Sequence, residues 1–241
     1  MSEKRIYGSR EELASAMADF FVELAKETIN IQQAFTVALS GGETPVLFYE
    51  LLATKYKDSI IWPKTHFFWC DERCVPPDNK ESNYKLVNDL FLKNINIPES
   101  NVHRIFGEAD PVSEIMRYED KILTMVSDVD SNPQFDLVIL GLGEDGHTAS
   151  LFPNQMFMVD SVHFCEAASH PKTGQRRITM TPALINKAKH VAFLVSGNSK
   201  AEKVHAIINQ EPEAFLYPAY YIQPSNGTLY WFLDKEAAKQ L

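Results

Sequence analysis

The chain has 241 residues and a formal net charge of −9, with 45% hydrophobic and 23% charged residues. This composition is that of a folded globular protein and excludes an intrinsically disordered chain. The excess of acidic residues argues against a broad nucleic-acid-binding surface, which needs a basic face. We therefore expect no nucleic-acid partner, and a few local cations must hold any anionic ligand.

The cysteines and the N-terminal residues indicate the cellular compartment in which we expect the protein. Cys70, Cys74 and Cys165 are too few, and odd in number, for a disulfide framework, which favours a reducing, cytoplasmic setting. Residues 1–5 lead into no apolar segment, so we expect neither a signal peptide nor a membrane partner. His66, Cys70 and Cys74 lack the spacing of zinc ligands, so we expect no metal there.

The first part of the chain alternates between helical and strand patterns. Ser9 and Glu12 predict the start of a helix, because they form the pattern of a capping box. Apolar residues at helical spacing continue this helix over 13–29. A second helix is predicted to begin at Pro45, with Thr44 as its N-cap. The pattern predicts strands at 35–39, 66–70 and 135–140, and helices at 45–54, 82–92 and 112–126.

The second part continues this alternation. It predicts a hairpin of 162–167 with 177–180, a short helix from Pro182, strands at 190–195 and 230–233, a helix at 200–208 and a C-terminal helix. Apolar strands that alternate with amphipathic helices are typical of parallel sheets covered on both faces. We predict one domain over 1–241, with an α/β fold. Its sheet should be open, mostly parallel and flanked by helices on both faces, as in Rossmann-like proteins.

Four predicted strands run into polar or glycine-rich turns. These turns are residues 40–42, 71–73, 141–147 and 196–197. In an open parallel sheet, ligands bind at the carboxyl ends of the strands. If the four turns lie along one edge, they enclose a single binding site.

The segment 40–45 (SGGETP) predicts a phosphate site. Gly41 and Gly42 allow a tight turn and a close approach of the backbone to a ligand. Free N–H groups and the helix dipole at the start of the following helix favour an anion. The alternative is an ordinary strand-to-helix turn. A carboxylate repels a phosphate, so we expect Glu43 to point to solvent.

The glycines of segment 141–146 match G-x-G-x-x-G after a strand, which is also the pattern of a dinucleotide site. Two features argue against that interpretation. Pro153 leaves little room for the long helix that normally follows, and Glu144 and Asp145 place negative charge where a pyrophosphate would sit. The favoured alternative is a loop that directs Asp145 and His147 into a cleft, where the imidazole acts as a general base.

Three basic residues lie near strand or turn ends, namely Arg73, Arg177 and Lys200. Each alone is commonly a surface cation, but their shared position favours contact with a phosphate dianion, which arginine binds bidentately. The sequence does not decide between Arg176 and Arg177. No G-x-S-x-G segment is present, which argues against a serine hydrolase.

Several of these segments together resemble the glucosamine-6-phosphate isomerase/6-phosphogluconolactonase family, and its lactonase branch in particular. The segments are 40–45 (SGGETP), 69–76 (WCDERCVP), 82–84 (SNY), 141–153 (GLGEDGHTASLFP), 177–181 (RITMT) and 231–234 (WFLD). The resemblance spans nearly the whole chain. The isomerase and deaminase branches share the double-glycine loop but usually differ after the histidine. Glu43 departs from the small polar residue that members often have there.

The resemblance implies hydrolysis of 6-phospho-D-glucono-1,5-lactone to 6-phosphogluconate in the oxidative pentose phosphate pathway, with no metal or organic cofactor. It implies that His147 is the base that activates water and that Asp71 and Asp145 shape the catalytic site. The residues that it places around the phosphate and sugar hydroxyls are Ser40, Gly41, Gly42, Thr44, Arg73, Arg177 and Lys200.

Two other functions remain open at this stage. The first is a sugar-phosphate isomerase or amino-sugar-phosphate deaminase that uses the same phosphate site. The second is a non-catalytic protein that binds a sugar phosphate. In the favoured interpretation the partner is a small phosphosugar lactone, and we expect a monomer or a weak homo-oligomer.

Overall fold

Twelve strands organise the chain in a computed structural model that describes residues 2–126, 128–129 and 132–241. In chain order the strands are β1 (Ser2–Tyr7), β2 (Phe35–Leu39), β3 (Thr65–Trp69), β4 (Asp71–Arg73), β5 (Val102–His103), β6 (Asp128–Val129), β7 (Asn132–Pro133), β8 (Leu137–Leu140), β9 (Cys165–Ser169), β10 (Arg176–Met180), β11 (His190–Val195) and β12 (Thr228–Asp234). Seven of them form one sheet in the order β1-β12-β11-β8-β2-β3-β5, and every pairing in it is parallel.

Helices flank this sheet. They are α1 (Arg10–Gln32), α2 (Val46–Thr54), α3 (Asn83–Leu90), α4 (Pro111–Met125), α5 (Pro182–Ile185) and α6 (Ala201–Asn209). Short 3-10 segments lie at Trp62–Lys64, Leu92–Asn94, Glu99–Asn101, Pro153–Asp160, Asn198–Lys200, Pro212–Leu216 and Pro218–Tyr221. Every residue of β2 and β8 is buried, so the sheet centre is covered on both faces. The predicted fold class is confirmed.

The direction of the chain across the sheet reverses between β2 and β8. From β2 the chain moves outward through β3 to β5, returns to β8 beside β2, and then moves the other way through β11 to β12. In an open α/β sheet, such a reversal leaves a crevice at the carboxyl ends of the two central strands. The loops that leave β2 and β8 are the two glycine-rich segments, 40–45 and 141–147.

A second, three-stranded antiparallel sheet of β4, β10 and β9 stands beside this edge. Its hairpin of β9 and β10 confirms the predicted one. Cys70 joins the two sheets, because its N–H donates to Leu39 at 2.8 Å and its carbonyl accepts from Met180 at 2.7 Å. The register places Arg177 opposite Arg73, which brings two of the predicted cations together.

Two elements differ from the prediction at the ends of the chain. The strand β1 was not predicted, because its alternately exposed sequence SEKRIY lacks the apolar run of a buried strand. The predicted C-terminal helix is wrong, since residues 235–240 form turns. The Asp234 carboxylate accepts a hydrogen bond from the Ala237 N–H at 2.7 Å, which closes the first turn. Six residues are also few for a stable helix, because the first turn of a helix is unfavourable to form.

The predicted N-cap of α2 is also wrong. Pro45 directly precedes the helix, and no side chain caps it. The Thr44 hydroxyl instead lies 3.3 Å from the hydroxyl of Ser196, across the crevice. Among the described residues, no helix combines the length and the apolar character that crossing a membrane would require.

The first turn of α1 confirms the predicted cap. The Ser9 hydroxyl accepts a hydrogen bond from the Glu12 N–H at 3.2 Å, and the Glu12 carboxylate accepts one from Gly8 at 2.7 Å. We expect Ser9→Ala to lower the free energy of unfolding by about 0.5–2 kcal/mol, because it leaves a helix N–H unpaired. Urea denaturation checks this. Ser15→Ala in the same helix is the control, and an equal loss there would contradict the capping role.

Candidate active site

A cleft of about 510 Å³ opens at the carboxyl edge of the sheet, above the reversal between β2 and β8. Loops that follow β2, β4, β8 and β11 form its walls. The predicted site residues that line it are Ser40, Gly41, Gly42, Thr44, Asp71, Arg73, His147, Arg177 and Lys200. The structure therefore brings the glycine loop, the cations and the histidine to one concave surface. Asp145 lies behind His147.

The double-glycine loop is held rigidly at the cleft floor. The Ser40 hydroxyl donates to a β8 backbone carbonyl at 2.8 Å, and Tyr49 donates to the Ser40 carbonyl at 2.6 Å. A Cβ atom on Gly41 would lie 1.9 Å from the Asn83 side-chain oxygen, so the position requires glycine. Gly42 has a φ of 94°, which only glycine adopts without strain. The turn thus keeps its backbone close to the cleft.

Three contacts hold the His147 ring. Its Nδ1 lies 2.5 Å from the Asp145 carboxylate, and its ring centroid is 5.0 Å from that of the buried Phe152. A Cβ atom on Gly143 would lie 2.1 Å from Nδ1, so glycine is needed behind the ring. No residue in the described part of the chain hydrogen-bonds Nε2. The His147 side chain is 31% exposed, and it lines the cleft.

Asp145 is the carboxylate that orients this imidazole. Burial opposes its ionisation, but the hydrogen bond with His147 and the charge of that ring outweigh burial and lower the pKa of Asp145 to about 2. The same oxygen accepts from the His147 backbone N–H at 3.1 Å. Asp145 is therefore an ionised hydrogen-bond acceptor at neutral pH, and it keeps the proton of the neutral imidazole on Nδ1.

A buried network surrounds Asp71, which lines the same cleft. One carboxylate oxygen accepts from the Ser150 hydroxyl at 2.6 Å and lies 3.9 Å from the Arg177 guanidinium. The other accepts from Asn83 at 3.2 Å. Because both oxygens are engaged, Asp71 anchors its neighbours. Sequence reasoning did not assign Ser150 to the site, but its side chain is fully buried and donates to the Asp71 carboxylate.

Three arginines line the cleft with unsatisfied donors. In the described part of the chain, the buried side-chain atoms without a hydrogen-bond partner are Trp69 Nε1 and the Nε atoms of Arg10, Arg73 and Arg177. An unpaired buried donor costs about 1–3 kcal/mol, and an oxyanion in the cleft would supply acceptors. The structure also decides between Arg176 and Arg177, because alternation along β10 exposes the former and turns the latter inward.

Sequence reasoning missed Arg10. It lies in the first turn of α1, and its guanidinium donates to the Glu43 backbone carbonyl. The signal was weak, because a basic residue beside a helix cap is common on protein surfaces. Other cleft residues that it did not assign to the site are Asn83, Ser199 and Asp234. Glu43 is exposed at the rim, as predicted.

The last wall is the segment after β11. Gly197 has a φ of 94°, and its N–H donates to Asp234 at 3.0 Å. This bond fixes the turn that leads to Lys200, whose ammonium lies 3.7 Å from the Glu144 carboxylate. No group of three or more His, Cys, Asp or Glu side chains within the described ranges is arranged to hold a metal ion. The expectation of no cofactor stays a prediction.

Comparison with known proteins identifies the family. The family model described as glucosamine-6-phosphate isomerases/6-phosphogluconolactonase matches residues 8–231. The chain belongs to this family. The dinucleotide interpretation of segment 141–146 thereby loses its support. The structure agrees, since a 3-10 segment, Pro153–Asp160, and not a long helix follows that loop.

Individual members of the family with similar sequences or structures are named 6-phosphogluconolactonase. The chain is 44% identical over 206 residues to a protein named 6-phosphogluconolactonase from Haemophilus influenzae, covering 85% of this chain and 87% of that one. It is 41% identical to one of the same name from Synechocystis, covering 86% and 84%. The solved 6-phosphogluconolactonase of Trypanosoma brucei matches with a TM-score of 0.89 and 28% identity over 100% and 99%. A monomeric glucosamine-6-phosphate deaminase at 22% identity and a TM-score of 0.81 shares the fold.

The pKa of Asp145 makes a testable prediction about stability. A folded-state pKa of about 2, below the ordinary value near 3.9, gives stability that is present above about pH 4 and is lost as the pH falls through 2. Asp145→Asn should therefore destabilise the protein at pH 6, and its difference from wild type should shrink at pH 3. Urea midpoints at both pH values measure this.

The effect should be modest, because 46% of the Asp145 side chain is exposed. The exposed Asp58 provides the control, and Asp58→Asn should leave the midpoints nearly unchanged at both pH values. A difference for Asp145→Asn that grows towards pH 3 would contradict the lowered pKa assigned to Asp145.

Proposed function

We propose that the chain is a carboxylic ester hydrolase that converts 6-phospho-D-glucono-1,5-lactone to 6-phospho-D-gluconate. The observation that carries this proposal is one cleft with unpaired arginine donors on its walls and an Asp145-oriented imidazole at its rim. Family membership and identities of 41–44% to proteins named 6-phosphogluconolactonase support the substrate. We further infer one domain over 1–241, acting in the cytoplasm in the oxidative pentose phosphate pathway.

The phosphate of the substrate lies at the cationic end of the cleft in this proposal. Gly41 and Gly42 present backbone N–H groups there, at the start of α2. The surrounding walls carry positive charge from Arg10, Arg73, Arg177 and Lys200. A dianion would satisfy donors that otherwise stay unpaired, so phosphorylated sugars should bind far better than neutral ones.

His147 acts on the other end of the substrate. With Nδ1 held by Asp145, Nε2 takes a proton from water as the water oxygen attacks the lactone carbonyl. Negative charge then develops on the carbonyl oxygen, where a guanidinium or backbone N–H groups of the glycine-rich loops stabilise it. The C–O bond to the ring oxygen breaks, and the imidazolium returns its proton to that oxygen. The products are a hydroxyl group and a carboxylic acid, which loses its remaining proton to solvent and becomes a carboxylate.

Asp71 has a supporting role in this scheme. Its hydrogen bonds to Ser150 and Asn83 occupy both carboxylate oxygens, and its charge lies near Arg177. It therefore positions the Arg177 guanidinium and the Asn83 amide, and the latter lies against Gly41. An isomerase or deaminase needs a base at C2 of the sugar, and no contact of Asp71 favours that use over an anchoring one.

The deciding experiment measures acid release from freshly prepared 6-phosphogluconolactone, corrected for spontaneous hydrolysis, and compares it with the unphosphorylated lactone. A large preference for the phosphorylated substrate is expected. Exchange of the C2 proton of a sugar phosphate, or release of ammonia from an amino-sugar phosphate, would instead favour the isomerase or deaminase branch. Binding of a sugar phosphate without any turnover would favour a non-catalytic role.

We expect His147→Ala to lower kcat by about 10²–10⁴-fold, because it removes the general base. Binding of 6-phosphogluconate should persist, since the imidazole does not hold the phosphate. Steady-state kinetics and calorimetry measure the two effects. The exposed His163 offers a matched control, and His163→Ala should leave both unchanged. Near-normal turnover of His147→Ala would remove this residue from the mechanism.

Two glycines of the same loop provide a second test. A methyl group on Gly143 meets the His147 ring, whereas one on Gly141 meets no atom within 4 Å. Gly143→Ala should therefore displace the imidazole and lower kcat by about 10²-fold. Gly141→Ala should cost far less. The measurement compares kcat of the two variants under conditions where both are fully folded. Equal losses of kcat would show that the position of the ring does not depend on Gly143.

A further inference from the structure

An ion pair joins two neighbouring loops that both line the cleft. Glu144, in the loop after β8, places its carboxylate 3.7 Å from the ammonium of Lys200, in the segment after β11. The Lys200 side chain is 18% exposed and that of Glu144 is 70% exposed. A hydrogen bond from Ser199, together with the charge of Lys200, lowers the pKa of Glu144, so the carboxylate is ionised at neutral pH.

We propose that Glu144 is a resident counter-ion that a phosphate group must displace from Lys200, and that it thereby sets the affinity of the cleft for phosphorylated ligands. This inference rests on the proposed function, in which Lys200 holds the phosphate. A tethered carboxylate and an incoming dianion compete for one ammonium group. The stronger the resident pair, the weaker the net binding of phosphate.

The other carboxylates at the cleft do not suit this role. Asp71 is bound to Ser150 and Asn83, and Asp234 accepts the N–H of Gly197. Both are buried and held by hydrogen bonds.

Glu43 lines the same cleft and is exposed, but its carboxylate makes no ion pair with a cation among the residues that the structure describes. Glu144 combines a cationic partner in the cleft with the exposure that lets it turn into water. Displacement therefore needs no rearrangement of the core.

Glu144 lies in the same loop as Asp145 and His147, so the competition for Lys200 also affects the catalytic loop. It directly precedes Asp145, which orients the proposed general base, so the ion pair tethers the catalytic loop to the phosphate-holding segment. The product retains the phosphate and faces the same competition. Glu144 should therefore weaken substrate and product binding alike, which favours release after hydrolysis.

Calorimetry with inorganic phosphate and with 6-phosphogluconate tests the proposal without turnover. We expect Glu144→Gln to bind both about two- to fivefold more tightly, the range expected for an exposed ion pair. The gain should shrink as salt is raised, because the competing charges are close to solvent. Adding Glu144→Gln to Lys200→Met should give no gain, because the contested cation is then absent.

Glu43→Gln is the matched control, since it removes the same charge from the same cleft without removing a partner of Lys200. An equal gain in that variant would assign the effect to net charge and overturn the proposal. Unchanged or weaker phosphate binding by Glu144→Gln, or no phosphate binding by any variant, would overturn it too. Failure of the wild type to hydrolyse the lactone would overturn the proposed function instead, and the binding comparison would still stand.

Discussion

The reversal of chain direction between β2 and β8 is the constraint on which the site depends. When the chain leaves two neighbouring parallel strands in opposite directions, a crevice remains at the carboxyl ends of those strands. The two loops that border this crevice are rich in glycine, so backbone can approach a ligand from both sides. Cys70 then links the second sheet to the same edge through two backbone hydrogen bonds, which brings β4 and β10 to the cleft wall.

The cleft is lined by cations although the whole chain has a formal net charge of −9. Arginines and a lysine gather on the walls, while the carboxylates nearby are largely committed to other groups. Asp145 holds the imidazole, Asp71 anchors Ser150 and Asn83, and Asp234 fixes the turn at Gly197. An acidic protein can thus present an anion site, because hydrogen bonds hold these carboxylates to groups other than the cations of the cleft.

Sequence reasoning predicted the central strands, most of the helices and the double-glycine loop, because these depend on local patterns. It missed β1, whose polar edge sequence lacks such a pattern, and it placed a helix after β12 where the Asp234 carboxylate closes a turn. It also assigned Thr44 as a helix cap, although that hydroxyl lies beside Ser196 across the crevice. The errors at β1 and Thr44 concern groups whose partners, β12 and Ser196, are distant in sequence. The error after β12 is local, because Asp234 and Ala237 are three residues apart.

The sequence by itself determined the α/β class, the positions of the glycine turns and the residue types of the site, since periodicity and turn chemistry act over a few residues. The tertiary structure decided which groups meet. Only strand order brings Arg10 to the loop at 40–45, only the register of β10 against β4 turns Arg177 and not Arg176 inward, and only burial joins Ser150 to Asp71. These contacts depend on how distant segments pack, and no local pattern encodes them.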